Sequence, residues 1–370
     1  MLSVMVKPVS GSCQMRCGYC FYADEAKNRC TPNYGVMSEE TLEKLVDRVF
    51  AWERQAVSFA FQGGEPTLAG IGFFRRFVSL VEEKNERGIP VYLSMQTNGY
   101  AIGGEWADFL AENRFLVGLS VDGTQRTHDR WRLDAEGAGT YGRVIRAAEL
   151  LRSRGCEFNI LTVVTRQVAE SISEIYESYR EHGFLYQQYI PCMDGIGEER
   201  GTHPWSLTPE TYGEFLKTLF SLYKEDMLNG RYVYIRRFEN WCAMSAGCEP
   251  EECCLCGRCS PQLLVEADGG VYPCDFYVLD GWKMGNIRDC DIPQLISSDA
   301  ARGFFGFSPV PDECRQCRWR FLCRGGCRRE RGQEGAARSI YCEALRDFFG
   351  YAARDMARIY VKWQQYTQLS

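Results

Sequence analysis

The segment Ser12-Cys13-Gln14-Met15-Arg16-Cys17-Gly18-Tyr19-Cys20-Phe21 sets three cysteines in the spacing Cys-x3-Cys-x2-Cys, directly after the apolar run Leu2–Val9. Three thiolates can hold three irons of a four-iron cluster and leave the fourth iron open to a substrate or cofactor. A zinc knuckle would need a fourth ligand. No His or Cys follows at zinc-finger spacing, and Cys30 lies in a loop containing Pro, Asn and Gly.

Outward from this loop, short apolar runs rich in β-branched and aromatic residues predict strands over Leu2–Val9, Val57–Gln62, Pro90–Thr97, Phe115–Val121, Glu157–Thr165 and Phe184–Ile190. Helical periods fall between them: Glu39–Trp52, capped by Ser38, then Ile71–Arg87, Glu105–Asn113, Tyr141–Arg154 and Ala169–His182. Six alternating units predict an α/β fold with a parallel sheet and right-handed crossovers. Six are too few for a closed eight-stranded barrel, which leaves an open partial barrel or a doubly wound sheet. In both, ligands gather at the carboxyl ends of the strands. Gly63-Gly64-Glu65-Pro66, Gln96-Thr97-Asn98-Gly99 and Ser120-Val121-Asp122-Gly123 lie at such ends.

The 370-residue chain is 45% hydrophobic and 25% charged, which excludes a disordered chain. A net charge of −6 speaks against a general nucleic-acid binder. No apolar run reaches a membrane span, and Met1 to Ser12 lacks the pattern of a signal peptide. Nineteen cysteines against three histidines then point to thiolate-bound metal in a reducing cytoplasm.

A long amphipathic helix, Pro209–Leu228, precedes a change of pattern near Gly230. Residues 1–230 are expected to form the α/β domain. Residues 231–370 are expected to form a Cys-rich domain held by metal rather than by a large apolar core, ending in a helix over Ile340–Val361. The tail carries Cys253, Cys259 and Cys274, then Cys314, Cys317, Cys323, Cys327 and Cys342. Eight thiolates suffice for two four-iron clusters, and zinc ribbons are the competing use of Cys-x2-Cys pairs. Cys254 and Cys256 follow Cys253 closely and compete with it as ligands. The default for Cys30, Cys156, Cys192, Cys242, Cys248 and Cys290 is a buried free thiol. Seven arginines between Cys314 and Gly332 read as compensation of thiolate charge plus a solvated face, ahead of nucleic-acid binding.

The first triad, with Tyr19 before its last cysteine and Gly63-Gly64-Glu65-Pro66 at the second strand end, resembles the radical S-adenosylmethionine superfamily. The tail resembles the twin-cluster SPASM extension. Phe59–Gly70, Ser94–Gly99 and Tyr272-Pro273-Cys274-Asp275-Phe276-Tyr277 resemble the anaerobic sulfatase-maturating enzymes, and the likeness runs through nearly the whole chain. The resemblance implies a partial (β/α)6 barrel, three [4Fe-4S] clusters and S-adenosyl-L-methionine. It assigns Cys13, Cys17 and Cys20 to the first cluster. Cys253, Cys259, Cys274 and Cys327 go to one auxiliary cluster, and Cys314, Cys317, Cys323 and Cys342 to the other. Tyr19, Gly64, Ser120, Arg132 and Met193 fall on S-adenosylmethionine contacts, with Met193 where the family has leucine, a volume-conserving change. Asp275 falls on the family's general base.

The implied reaction is oxidation of a Cys or Ser side chain in a sulfatase to Cα-formylglycine without dioxygen. A 5′-deoxyadenosyl radical abstracts hydrogen from Cβ, a base takes the thiol or hydroxyl proton, and the auxiliary clusters accept or relay an electron. The implied partners are a sulfatase segment Cys/Ser-x-Pro-x-Arg and a one-electron donor such as a flavodoxin or ferredoxin, with no nucleic acid and no membrane. Two further readings are a SPASM-type maturase of a ribosomally made peptide and a non-enzymatic iron–sulfur electron carrier. The Gly63–Pro66 loop argues against the carrier, which has no need of a methionine pocket.

Overall fold

The computed structural model describes residues 1–306, 310–331 and 337–367. Its contacts divide the chain into two compact units. The first comprises Met1–Ser120, Trp131–Phe158 and Pro261–Phe307; the second comprises Val121–Arg130, Asn159–Ser260 and Ser308–Ser370.

Four of the expected strands form in the first unit: β1 (Leu2–Val6), β2 (Val57–Phe61), β3 (Val91–Thr97) and β4 (Leu116–Ser120), each parallel to the next. The register is set by buried residues of alternate pleats: Val4 and Val6 of β1 stand opposite Phe59 and Phe61 of β2. β1 is shorter than expected. Pro8 has no N–H for a ladder, and the chain turns there. Helices cover the sheet as the periods predict. Glu39–Trp52 begins where Ser38 Oγ accepts from the Thr41 N–H at 3.2 Å, and Ile71–Lys84 stops short of Arg87 because Asn85 and Gly88 turn the chain. Between them Phe59, Phe61, Phe74 and Phe77 meet edge to face. Each such pair adds about 0.5–1.5 kcal/mol beyond area burial.

Beyond β1 the sheet is extended from the tail. We number the remaining strands in chain order: β5 (Phe158–Val164), β6 (Tyr186–Pro191), β7 (Tyr234–Ile235), β8 (Leu263–Val265), β9 (Gly270–Tyr272) and β10 (Gly285–Asn286). β8 runs parallel to β1, with Val4 opposite Leu263 and Val6 opposite Val265, and β9 and β10 follow antiparallel. These strands were not expected. At two or three residues each they are too short to show a period. Val265, Val271, Ile287 and Leu295 are fully buried in the core that β1 and β2 share, so this part of the tail rests on apolar packing.

In the second unit β5, β6 and β7 lie parallel. The helical run Ala169–His182 is two helices, Arg166–Glu170 and Ile172–Glu181, divided at Ser171. Pro209–Leu228 forms as expected, capped by Thr208. A helix over Arg236–Ser245 appears where no period was evident, and the last helix runs Cys342–Thr367. Phe220, Phe238, Trp241 and Phe348 form one aromatic cluster, with Trp241 and Phe348 rings 5.1 Å apart. This unit therefore has an apolar core of its own, to which Phe238, Trp241 and Phe348 of the tail contribute.

Among the described residues no helix is long and apolar enough to cross a membrane.

Candidate active site

The loop after β1 carries Cys13, Cys17 and Cys20, and three neighbouring segments fix it. Arg16 N–H donates to Leu133 O at 2.8 Å and Gly18 N–H to Trp131 O at 3.1 Å. Met15 N–H and Asn98 Nδ2 lie 3.3 and 3.5 Å from Cys13 Sγ. Burial is the main reason the Cys13 thiol is pushed up to about 11. Cys20 lies near enough to Cys13 to act on it electrostatically.

The Gly63–Pro66 loop backs this segment. Gly64 has φ +55°, and a Cβ there would stand 2.2 Å from Ser12 O. Only glycine lets the strand end approach the cysteine loop so closely. Glu65 N–H donates to the same Ser12 carbonyl at 2.8 Å. Its buried carboxylate accepts from Thr67 Oγ1 and Thr97 Oγ1 at 2.7 Å and from Asn98 N–H at 2.8 Å. Glu65 thus joins the ends of β2 and β3 and sets Asn98 against Cys13. Burial pushes its carboxyl up while these donors oppose the shift.

The structure brings Arg132 and Tyr19 together: the guanidinium lies 5.6 Å from the ring centroid. Ser120 ends β4, and Met193 follows the carboxyl end of β6 next to buried Cys192.

A second site was only partly legible. Cys274 follows β9, and Asp275 opens a short 3₁₀ turn, Asp275–Tyr277. Tyr22 OH donates to Asp275 Oδ2 at 2.9 Å; Asp275 Oδ1 is buried and has no hydrogen-bond partner. Around them lie charges that sequence reasoning missed. Lys7 Nζ stands 3.4 Å from Glu25 Oε2, 3.7 Å from Glu266 Oε2 and 4.7 Å from the Tyr22 ring centroid. Arg29 NH1 bonds Glu266 at 2.6 Å, and Glu25 Oε1 accepts from Val278 N–H at 3.2 Å. Two cations thus face three carboxylates. Burial pushes both Glu25 and Asp275 up, against the pull of Lys7. The one available signal was a lysine inside the otherwise apolar run Leu2–Val9.

The remaining cysteines divide by place. Cys314, Cys317, Cys323 and Cys342 line one cavity of about 460 Å³. Burial pushes Cys323 up to about 11 and Cys327 up to about 12. Cys327 interacts electrostatically with Cys253 and Cys259, which places those three together in the second unit. Cys254 is turned instead toward Glu252, 3.4 Å from Oε2, and Cys256 toward the Glu252 carbonyl at 3.5 Å. Cys156, Cys192 and Cys242 are buried as expected; Cys30 is exposed, and Cys248 and Cys290 are half-buried. All nineteen cysteines are free thiols, the state in which thiolates ligate iron. The four-thiol cavity and the glycine-backed Cys13–Cys20 loop therefore fit iron–sulfur groups in their donor chemistry.

Two family models match the chain. Residues 8–179 match the radical SAM superfamily, and residues 253–318 match an iron–sulfur cluster-binding domain, SPASM. The fold is thus that of a radical SAM enzyme, a partial (β/α)6 barrel with a Cys-rich SPASM extension. A cysteine-type anaerobic sulfatase-maturating enzyme of Clostridium novyi (strain NT) is 43% identical over 352 residues, 94% of each chain. A serine-type anaerobic sulfatase-maturating enzyme of Bacteroides thetaiotaomicron is 30% identical over 95% of this chain and 89% of that one. The solved structure of native anSMEcpe with bound AdoMet and Cp18Cys peptide matches with TM-score 0.93 and 42% identity, covering 97% of this chain and 98% of that one. The chain belongs to the anaerobic sulfatase-maturating enzymes.

Proposed function

We propose that this enzyme oxidises the Cys or Ser of a Cys/Ser-x-Pro-x-Arg segment in a sulfatase to Cα-formylglycine (3-oxoalanine), without dioxygen, and so activates the sulfatase. The observation that carries the reading is the buried Asp275 carboxylate, with one oxygen held by Tyr22 and the other unpartnered. The second oxygen can accept the proton that leaves the substrate thiol or hydroxyl.

In this reading Cys13, Cys17 and Cys20 hold the first of three [4Fe-4S] clusters, and Tyr19, Gly64, Ser120, Arg132 and Met193 contact S-adenosylmethionine. Cys253, Cys259, Cys274 and Cys327 hold one auxiliary cluster, and Cys314, Cys317, Cys323 and Cys342 the other. When bound, S-adenosylmethionine supplies the radical that removes a hydrogen atom from Cβ, and the auxiliary clusters take up one electron. The chain's own residues do the rest. Glu65 and Asn98 hold the Cys13 loop against the barrel end. Gly64 keeps the backbone open for the methionine end of the cofactor. Tyr22 orients Asp275, and Lys7 offsets part of the negative charge behind it. Removal of the hydrogen atom, the proton and the electron leaves a thioaldehyde from cysteine, which water hydrolyses, or the aldehyde directly from serine.

The division at 230/231 is then one of chemistry: cofactor cleavage in residues 1–230, electron handling and proton transfer in residues 231–370. A one-electron donor such as a flavodoxin or ferredoxin and a cytoplasmic setting complete the reading. The test is anaerobic reconstitution with iron and sulfide, followed by incubation with a sulfatase-motif peptide and S-adenosylmethionine. Mass spectrometry should find formylglycine in the peptide. Cleavage of S-adenosylmethionine with an unaltered peptide would overturn the substrate assignment.

A further inference from the structure

The arginine-rich stretch is not used by the reaction. Its side chains do not all serve internal charge. Arg324 NH1 is paired with Glu249 at 2.6 Å and Arg315 NH1 with Asp312 at 3.5 Å. Arg258, Arg318 and Arg320 are exposed, and among the described residues none has a carboxylate within ion-pair distance. These three, with Arg324, Phe321 and Cys317, line a second cavity in the same unit, an open groove of about 610 Å³. Phe321 is 50% exposed. Cys317 also lines the four-thiol cavity, as do Arg318, Arg320 and Arg324. One wall therefore separates the thiol cavity from the solvent groove, and Cys317 is part of it.

A chain of net charge −6 that concentrates unpaired arginines at one groove has built a local positive field. Arginines around an exposed aromatic ring match the composition of protein docking sites. Single-stranded nucleic acid also uses arginine and aromatic side chains. The thiol on the groove wall decides between them, because a redox group behind the surface serves an electron carrier and does nothing for a nucleic acid. We propose that this groove docks a small acidic one-electron carrier protein of the flavodoxin kind. Its carboxylates meet Arg258, Arg318 and Arg320, Phe321 packs in the contact, and its redox group comes to rest beside Cys317. The carrier and the cluster held by Cys314, Cys317, Cys323 and Cys342 exchange one electron, one being oxidised as the other is reduced. The inference rests on the reading above for the presence of that cluster.

The test uses the full chain, reconstituted anaerobically, and an acidic flavodoxin as probe. Binding is followed by calorimetry, independently of turnover. The unmodified chain should bind flavodoxin at low salt and lose at least tenfold in affinity as ionic strength rises through the range where exposed charges are screened. The double variant R258E/R320E should lose at least tenfold at low salt. R258K/R320K should keep most of the affinity. Iron content and absorption spectrum are measured for each, and the salt titration of the unmodified chain stands if a variant loses its iron. Salt-independent binding overturns the proposal. So does undiminished affinity in an iron-replete R258E/R320E, or an oligonucleotide, in place of flavodoxin, binding in a way the double variant abolishes. Dithionite, a small reductant that needs no docking, separates the two readings: failure to cleave S-adenosylmethionine with dithionite counts against the enzyme assignment, not against the groove.

Discussion

Tyr22 holds Asp275 by one oxygen only: its hydroxyl donates to Oδ2 at 2.9 Å, while Oδ1 is buried without a partner. A carboxylate so held keeps its orientation and leaves Oδ1 with its acceptor capacity unused. Asp275→Asn preserves the shape and removes the carboxylate that the proposed reaction uses as its base. On that proposal the variant should keep the iron content of the parent and the formation of 5′-deoxyadenosine, while formylglycine falls by about 10²–10⁴-fold. Tyr22→Phe should cost less, roughly tenfold, since it removes one hydrogen bond to the carboxylate and leaves the base. Quantifying both products of one reaction separates the effects.

Replacing Cys13, Cys17 and Cys20 together by Ala should abolish cleavage of S-adenosylmethionine and leave about eight irons per chain, those of two four-iron clusters. Iron analysis beside a deoxyadenosine assay checks this. Residual cleavage in the triple variant would remove the first cluster from the mechanism.

Gly64→Ala places a methyl group 2.2 Å from Ser12 O, in a backbone conformation that costs a non-glycine residue about 1–3 kcal/mol. The cysteine loop must shift away from Glu65 and Asn98. The expected result is selective loss of the first cluster, seen as lower iron content with the auxiliary signals intact.

Cys327 acts on Cys253 and Cys259, whereas Cys342 lines the cavity of Cys314, Cys317 and Cys323. Spectra of single Ala variants at Cys327 and Cys259 should therefore show the same perturbed centre, and the variant at Cys342 a different one. A shared centre for Cys327 and Cys342 would contradict the partition.

Burial pushes Glu239 from the usual carboxyl range up to about 7, with Tyr223 OH donating to its Oε1 at 2.8 Å and opposing the shift. The folded chain thus holds a proton that the unfolded chain releases near its ordinary value. The stability from that proton is complete below about pH 4.5 and is lost as pH rises through about 7. Above that the charged group lowers stability by about 3 kcal/mol. Glu239→Gln keeps an acceptor for Tyr223 and removes the charge. Urea unfolding should show the variant more stable than the parent at pH 8, with little difference at pH 5.

Local patterns carried most of what could be read in advance. Ser38 and the acidic turn after it mark a helix start, and the spacing of Cys13, Cys17 and Cys20 marks them as candidate iron ligands, because in each case the chemistry depends on residues a few positions apart. The surroundings of Asp275 depend on Lys7, on Tyr22 and Glu25 of the helix Phe21–Lys27, and on Glu266, which the pairing of β1 with β8 brings to Lys7. No short-range period records that meeting. The helix Arg236–Ser245 was hidden for another reason. Its buried face mixes Glu239, Asn240 and Cys242 with Phe238 and Trp241, so polar residues interrupt the apolar stripe.

The parallel contact between Leu2–Val6 and Leu263–Val265 also sets an order of events during synthesis. The first strand is made well before its second neighbour, which follows some 260 residues later. At about 5–20 residues per second that is a wait of roughly a quarter of a minute or more. Until then Val4 and Val6 have one flank uncovered, and Lys7 lacks Glu266. On the proposed assignment, iron delivered to the nascent Cys13–Cys20 loop would meet an unfinished sheet, which predicts that the first cluster is loaded after translation of the tail. A pulse-labelled chain halted before Leu263 should then acquire no stable iron at its first three cysteines.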